Sequence, residues 1–186
     1  MNVISGLVGM VAVMLAAGGV SKALSPDPTV ASFRAVGLPG RRGLVRTLAV
    51  GEVLLGLGLI VVGTPWLAAL AAALFMVFTG ISARLLALGD AAASCGCFGA
   101  QSSRPSGLHV VIDAGAAAVL AVAAVVGLPG LATHTHGALD TVTYVGLVLV
   151  GGYLLTALLT VLPDALDAVA GRGPTAPAAT EFKLSR

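Results

Sequence analysis

Residues 44–88 read LVRTLAVGEVLLGLGLIVVGTPWLAALAAALFMVFTGISARLLAL. Two apolar runs, at 44–63 and 66–88, lie on either side of the turn-forming sequence Gly-Thr-Pro. Each run is long enough for an α-helix that crosses the hydrocarbon core of a bilayer, which takes roughly 20 residues. Glu52 is the single acidic residue in the stretch. The stretch therefore predicts two antiparallel membrane-spanning helices, the first of which carries a carboxylate into the membrane.

The composition extends this prediction to the whole chain. Of the 186 residues, 58% are hydrophobic and 10% are charged, whereas a soluble domain carries about 25% charged residues. Further apolar runs of spanning length lie at 3–24, 107–128 and 139–162. We therefore predict an all-α polytopic membrane helical bundle of five spans within residues 1–163. The Pro- and Ala-rich residues 164–186 are predicted to form a disordered cytoplasmic tail.

Several other classes of protein are disfavoured by the same features. The first apolar run lacks a basic leading region, and Lys22 follows the run, so we interpret it as a retained helix rather than a signal peptide. No basic face with interleaved aromatic residues is present, which argues against nucleic-acid binding. The bilayer itself is thus the first partner that the sequence predicts.

The basic residues predict the orientation. All ten Lys and Arg fall within 22–46, 84–104 and 172–186, which five spans place on one side of the membrane. The positive-inside rule makes that side cytoplasmic. We therefore expect a multi-pass protein of the inner (plasma) membrane, with its N-terminus outside and its C-terminus in the cytoplasm.

The longest connection within the predicted bundle is the loop at residues 25–43. It is long enough to hold a short segment that lies in the membrane interface. Phe33, Val36 and Leu38 are expected to dip into the headgroup region while the arginines of the loop stay in water.

Five polar side chains are predicted to gather at the basic end of the bundle. Ionisable groups within spans are costly, and they are commonly paired or functional. We expect Glu52 to pair with Arg84 or Lys22, and Asp113 is a further candidate partner of Arg84. His109, in the first turn of the fourth span, is interpreted as an interfacial residue rather than a ligand. The alternative for Lys22 and Arg84 is snorkelling to the interface.

The segment AASCGCFGAQ, residues 91–100, contains both cysteines of the chain. Cysteines at i and i+2 close a disulfide only in a bent backbone, which Gly96 permits. Because such a small ring is strained, its disulfide suits exchange rather than structural cross-linking. Arg84 or Lys22 nearby would favour the reactive thiolate. Cys95 and Cys97 are therefore candidate redox-active residues.

Two alternatives for the cysteines remain open. Two thiolates bind a soft ion such as Cu(I), and His109 is a candidate third ligand. A closed zinc site requires four ligands, and the chain has no second cysteine pair. His134 and His136 are predicted on the opposite face of the membrane and cannot join the thiols. The other alternative is a pair of small buried cysteines with no chemistry.

The order of these features resembles a known family. Lys22 ends the first span, followed by GLPG at 37–40, VGEVLLGLGLIVVG at 50–63 and SCGCFG at 94–99. Together they resemble the methylamine utilisation protein MauE family, within the wider DoxX-like group of small helical membrane proteins. The resemblance covers residues 3–128, which include the first four spans.

The resemblance implies a four-helix membrane core, to which this chain adds a fifth transmembrane helix. It also implies a role in maturation of the disulfide-rich small subunit of methylamine dehydrogenase, together with a thioredoxin-like partner outside the cytoplasm. Cys95 and Cys97 match the paired cysteines of the family, and Lys22 and Glu52 match its polar positions within the membrane. The sequence VIDAG around Asp113 departs from the basic-Asn pair of the family.

These features together predict a membrane thiol-disulfide redox component. Cys95 and Cys97 would alternate between dithiol and disulfide, while Lys22, Glu52 and Arg84 tune the thiols and hold their loop. Electrons would pass to a quinone or to a partner protein. The basic residues favour cytoplasmic thiols, whereas the resemblance favours exchange on the outer face. The alternative function is a non-enzymatic one, either copper handling or membrane assembly.

Overall fold

The computed structural model describes residues 3–89, 107–127 and 137–169, and within these ranges the regular structure is entirely α-helical. The helices are α1 (Val3–Leu24), α2 (Asp27–Ala35), α3 (Arg42–Val61), α4 (Pro65–Leu88), α5 (Gly107–Val126) and α6 (Ala138–Val169). All except α2 contain a segment long and apolar enough to cross a membrane, which makes five candidate spans among the described residues. The predicted class of polytopic helical bundle is confirmed.

The core of the bundle consists of two closely packed helix pairs. α1 packs along α3 and α4 packs along α5, while α1 also touches α5 and joins the two pairs. Ala12 and Leu15 of α1, Phe75 of α4 and Leu120 of α5 are buried in one continuous hydrophobic cluster between them. These four helices form the core, and α6 packs outside it, mainly against α1.

Glycines set the short distance between α1 and α3. A Cβ atom at Gly56 would lie 2.6 Å from the backbone oxygen of Ala12, and one at Gly19 would lie 2.7 Å from the backbone oxygen of Ala49. Because a backbone oxygen cannot rotate away, only a residue without a side chain fits at these positions. Small residues at such contacts are how membrane helices approach closely, since lipid tails supply little drive for association.

By contrast, α3 and α4 diverge although a tight turn joins them. Gly63 at this turn has φ +63°, a left-handed conformation that glycine adopts at little cost. Beyond the turn the two helices make few contacts with each other. A lipid-facing groove is left between them, and it runs along the outer surface of the bundle.

The loop at 25–43 contains α2, and its apolar side chains pack inward. Phe33 and Val36 are buried against Val45 of α3 and against Ile81 and Leu85 of α4. The expectation that Phe33 and Val36 dip into the headgroups is therefore corrected, because α2 covers the apolar surface where α3 and α4 diverge. Only Leu38 of the predicted set is exposed.

The end of the chain is described as far as Val169, where α6 ends. The helix therefore includes residues 164–169, the first six residues of the predicted tail. Residues 170–186 of that tail lie outside the described residues, as do Cys95 and Cys97. On its inner side α6 is fixed to α1 by the Tyr144 hydroxyl, which donates a hydrogen bond of 2.9 Å to the backbone oxygen of Ser5.

Candidate functional site

A buried ion pair lies between α1 and α3. The Lys22 ammonium donates a hydrogen bond of 2.6 Å to Oε2 of Glu52, and the two side chains are 3% and 0% exposed. Gly19, one turn before Lys22, lets α3 come near enough for this pair, since a Cβ atom there would lie 3.0 Å from Cβ of Glu52. The close helix contact and the ion pair are thus produced by the same turn of α1.

A second polar contact links α4 to α5. The Ser82 hydroxyl donates a hydrogen bond of 3.3 Å to Oδ2 of Asp113, and both residues are buried. The Lys22 ammonium lies 4.6 Å from the centre of the Phe78 ring on α4, a distance at which cation and ring attract each other. Lys22 therefore contacts α3 and α4 from its position near the end of α1.

These groups surround one small cavity. Lys22, Glu52 and Asp113 all line a space of about 20 Å³ between α1, α3, α4 and α5. A space of that size is large enough for one water molecule, and a buried water needs polar partners of this kind. We call Lys22, Glu52, Asp113 and Ser82 the buried polar cluster.

Burial of charged groups in the buried polar cluster carries a cost in desolvation free energy. A charged group taken out of water costs several kcal/mol even after relaxation, and an opposite charge at hydrogen-bond distance offsets that cost. Oε1 of Glu52 is buried and receives no hydrogen bond from the described part of the chain. A further hydrogen-bond donor next to this buried carboxylate oxygen would therefore stabilise the cluster.

The structure places the five predicted polar residues as follows. Lys22 and Glu52 pair with each other, and Asp113 lies beside them with Ser82 as its donor. His109 is buried one helical turn before Asp113 on α5, in the first turn of that helix. Its interfacial depth stays a prediction. Arg84 has an exposed side chain on α4 and stands apart from the buried polar cluster.

Two residues of the site were not anticipated from the sequence. Ser82 and Phe78 lie four residues apart on α4, and both are buried against the polar groups. A serine in a membrane span is a weak signal of this role, because hydroxyl side chains commonly form hydrogen bonds across helices there. Phe78 has no such signal, since it is one of many apolar residues in its helix.

The described residues include no group of three or more His, Cys, Asp or Glu side chains arranged to hold a metal ion. The copper alternative rests on Cys95 and Cys97 together with His109. Since both cysteines lie outside the described residues, that alternative stays a prediction.

Comparison with models of protein families matches residues 2–130 to methylamine utilisation protein MauE. The chain belongs to the MauE family. The matched residues include α1 to α5, the buried polar cluster and the segment that carries both cysteines, so the resemblance expected from the sequence is confirmed. Neither the curated proteins nor the solved structures that were searched contain a match.

The MauE match ends before α6 begins. The part matched to the family is thus the four-helix core with α2, and α6 lies outside the match. Every residue of the buried polar cluster belongs to the matched part. This chain is accordingly a MauE-like multi-pass membrane protein with one further span.

Proposed function

We propose that this MauE-family protein is a thiol-disulfide redox component of the membrane that supports disulfide formation in exported proteins. One observation carries the proposal: the only two cysteines of the chain stand two residues apart within the stretch matched to MauE. Packing alone does not require both cysteines to flank a single glycine, whereas a reversible disulfide requires them to be close together.

The reaction is an exchange. A thiolate of the exported client attacks one sulfur of the Cys95–Cys97 disulfide, which forms a mixed disulfide and releases the other cysteine as a thiolate. The second client thiolate then attacks the client's own sulfur in that mixed disulfide. The client leaves oxidised, and Cys95 and Cys97 hold the two electrons and, once protonated, the two protons. A thioredoxin-like protein or a quinone then accepts them and restores the disulfide.

The buried polar cluster supports this proposal by its position. The cysteine segment connects the end of α4 at Leu88 to the start of α5 at Gly107. Ser82 and Asp113 each lie six residues from those ends, about 9 Å along the helix. Their hydrogen bond links the two helix ends between which the cysteine segment lies in the sequence.

We expect either Cys95→Ser or Cys97→Ser to abolish oxidation of the client proteins that depend on this chain. A single remaining thiol cannot form the internal disulfide that the client thiolate attacks, so the exchange cannot begin. The measurement is the fraction of free thiol in exported proteins, in cells that express each variant. Gly80→Ser is the matched control, because a side chain at that exposed position meets no atom within 4 Å.

The outcomes of this experiment separate the alternatives. Full oxidation in both cysteine variants would contradict the redox proposal and would favour an assembly factor. Stoichiometric copper on the purified protein, lost in Cys97→Ser, would favour copper handling instead.

The distribution of all ten basic residues predicts the N-terminus outside and the C-terminus in the cytoplasm, with the cysteine segment on the cytoplasmic face. In that orientation the thiols do not meet an exported client directly, so a membrane partner carries the client's electrons to them and takes the client's place in the exchange above. A fluorescent protein fused after Arg186 is then expected to fluoresce, and alkaline phosphatase fused there is expected to stay inactive. Active phosphatase would reverse the orientation, place the thiols on the outer face and make the exchange with the client direct.

A further inference from the structure

The groove between α3 and α4 is an open, apolar surface that faces the lipid. Its volume is about 450 Å³, and it is lined by six leucines, three from each helix, together with Gly51 and Glu52. Gly51 leaves room on the α3 side, since a Cβ atom there meets nothing within 4 Å. A hydrocarbon chain fits such an open, leucine-lined surface.

Glu52 is the residue at which this groove meets the interior of the bundle. It lines both the groove and the small cavity that contains Lys22 and Asp113, and no other residue lines both. Its Oε2 accepts the hydrogen bond from Lys22, while its Oε1 accepts none from the residues described here. Glu52 is therefore the acidic residue among those lining the groove, and its Oε1 is buried beneath the groove surface with capacity for a donor, which reaches it when the side chain turns outward.

This pairing of features limits what the groove can bind. The ligand needs an apolar chain for the leucines and a neutral hydrogen-bond donor for Oε1. A phospholipid has a suitable chain, but its phosphate is an anion and would be repelled by the carboxylate. A hydroxyl group satisfies both requirements, because it donates without bringing charge of its own.

We propose that the groove between α3 and α4 binds an isoprenoid quinol, with its chain along the leucines and one hydroxyl donating to Oε1 of Glu52. This inference rests on the proposed function, which needs a lipid-soluble partner for two electrons. Oxidation of a dithiol to a disulfide releases two electrons and two protons, and reduction of a quinone to a quinol takes up both. The quinol is therefore the product that this site would hold before release into the bilayer.

The test uses the full chain in lipid nanodiscs prepared without quinone, with decylubiquinol as the probe under anaerobic conditions. Bound quinol is extracted and measured, and the amount in empty nanodiscs is subtracted. Gly51→Leu places a side chain in the groove without touching the ion pair, so we expect its affinity to fall about tenfold or more. Gly80→Leu adds the same side chain at an exposed position on α4 with open space around it. Its affinity is expected to stay within about twofold of the unmodified protein.

Two further ligands test the head group. The dimethyl ether of decylubiquinol keeps the ring and chain but has no hydroxyl donor, and it is expected to bind about tenfold more weakly, the usual effect of losing one hydrogen bond to a charged group. Decanol keeps the chain and a hydroxyl but lacks the ring. Equal affinity for decanol and decylubiquinol would overturn the quinol assignment and indicate a site for lipid alcohols.

Binding that is unchanged in Gly51→Leu would overturn the groove as the site. Such a failure is distinguishable from a failure of the proposed function. If quinol does not bind but the cysteine variants still abolish client oxidation, the function stands with another electron acceptor. If quinol binds as described but both cysteine variants oxidise clients normally, the binding site stands and the proposed function fails.

Discussion

Lys22→Met is expected to destabilise the protein by about 3–5 kcal/mol, the usual cost of removing one partner from a buried ion pair. The remaining Glu52 carboxylate is fully buried, and it would lose the hydrogen bond of 2.6 Å that now compensates its charge. Methionine has a similar length and adds no bulk, so the change isolates the loss of the ammonium. Thermal unfolding of the detergent-solubilised protein measures the effect.

Two further variants show whether the charge is the cause. Lys22→Met combined with Glu52→Leu removes both charges, and replacing a buried pair by apolar residues is commonly neutral or stabilising, so most of the lost stability should return. Arg42→Met breaks the exposed pair that Arg42 forms with Asp27 at 2.6 Å. Because water already solvates both of those groups, its unfolding midpoint is expected to match that of the unmodified protein. A single Lys22→Met variant as stable as Arg42→Met would show that Glu52 does not depend on Lys22.

The second large effect is expected from Gly56→Ala, which should destabilise the protein by about 2–3 kcal/mol, within the range for overpacking a close contact. The new Cβ atom would lie 2.6 Å from the backbone oxygen of Ala12 and 3.0 Å from Cβ of Ala16. The helices α1 and α3 would have to separate, and Glu52 would move away from Lys22 as they did so. Thermal unfolding again gives the magnitude.

Gly51→Ala is the matched control for this prediction, because it makes the same change on the same helix, where the Cβ atom meets nothing within 4 Å. Alanine is the better helix former, by about 1 kcal/mol. Gly51→Ala should therefore be neutral or slightly stabilising. If the two variants behave alike, helix propensity rather than the contact between α1 and α3 decides the stability at Gly56.

The spans and the main ion pair were predictable from the sequence because each depends on a strong local signal. Bilayer thickness sets the length of an apolar run, so residues 44–63 and 66–88 identify two helices without any knowledge of packing. A carboxylate in such a run needs a partner, and Lys22 was one of two cations available at the right end of the bundle. The choice between Lys22 and Arg84 required the structure, because both lie at similar depths.

The remaining contacts depend on how each helix is rotated, which length and hydropathy do not specify. Ser82 and Arg84 are two residues apart on α4, and their side chains therefore point in different directions around the helix. That difference places Ser82 against Asp113 and leaves Arg84 exposed. Likewise, residues 25–43 predict an interfacial segment, because nothing in them reveals that α3 and α4 diverge and leave an apolar surface that α2 covers.

The reversible Cys95–Cys97 disulfide is the central claim, and trapping the redox state of the thiols in living cells tests it most directly. Cells are reduced with dithiothreitol, washed, quenched with acid at intervals and treated with a maleimide carrying a polymer that shifts the band on a gel. Since the chain contains only two cysteines, each shift reports one free thiol. We predict two shifts immediately after reduction and none once the disulfide has reformed. Two shifts that persist at every interval would contradict the claim.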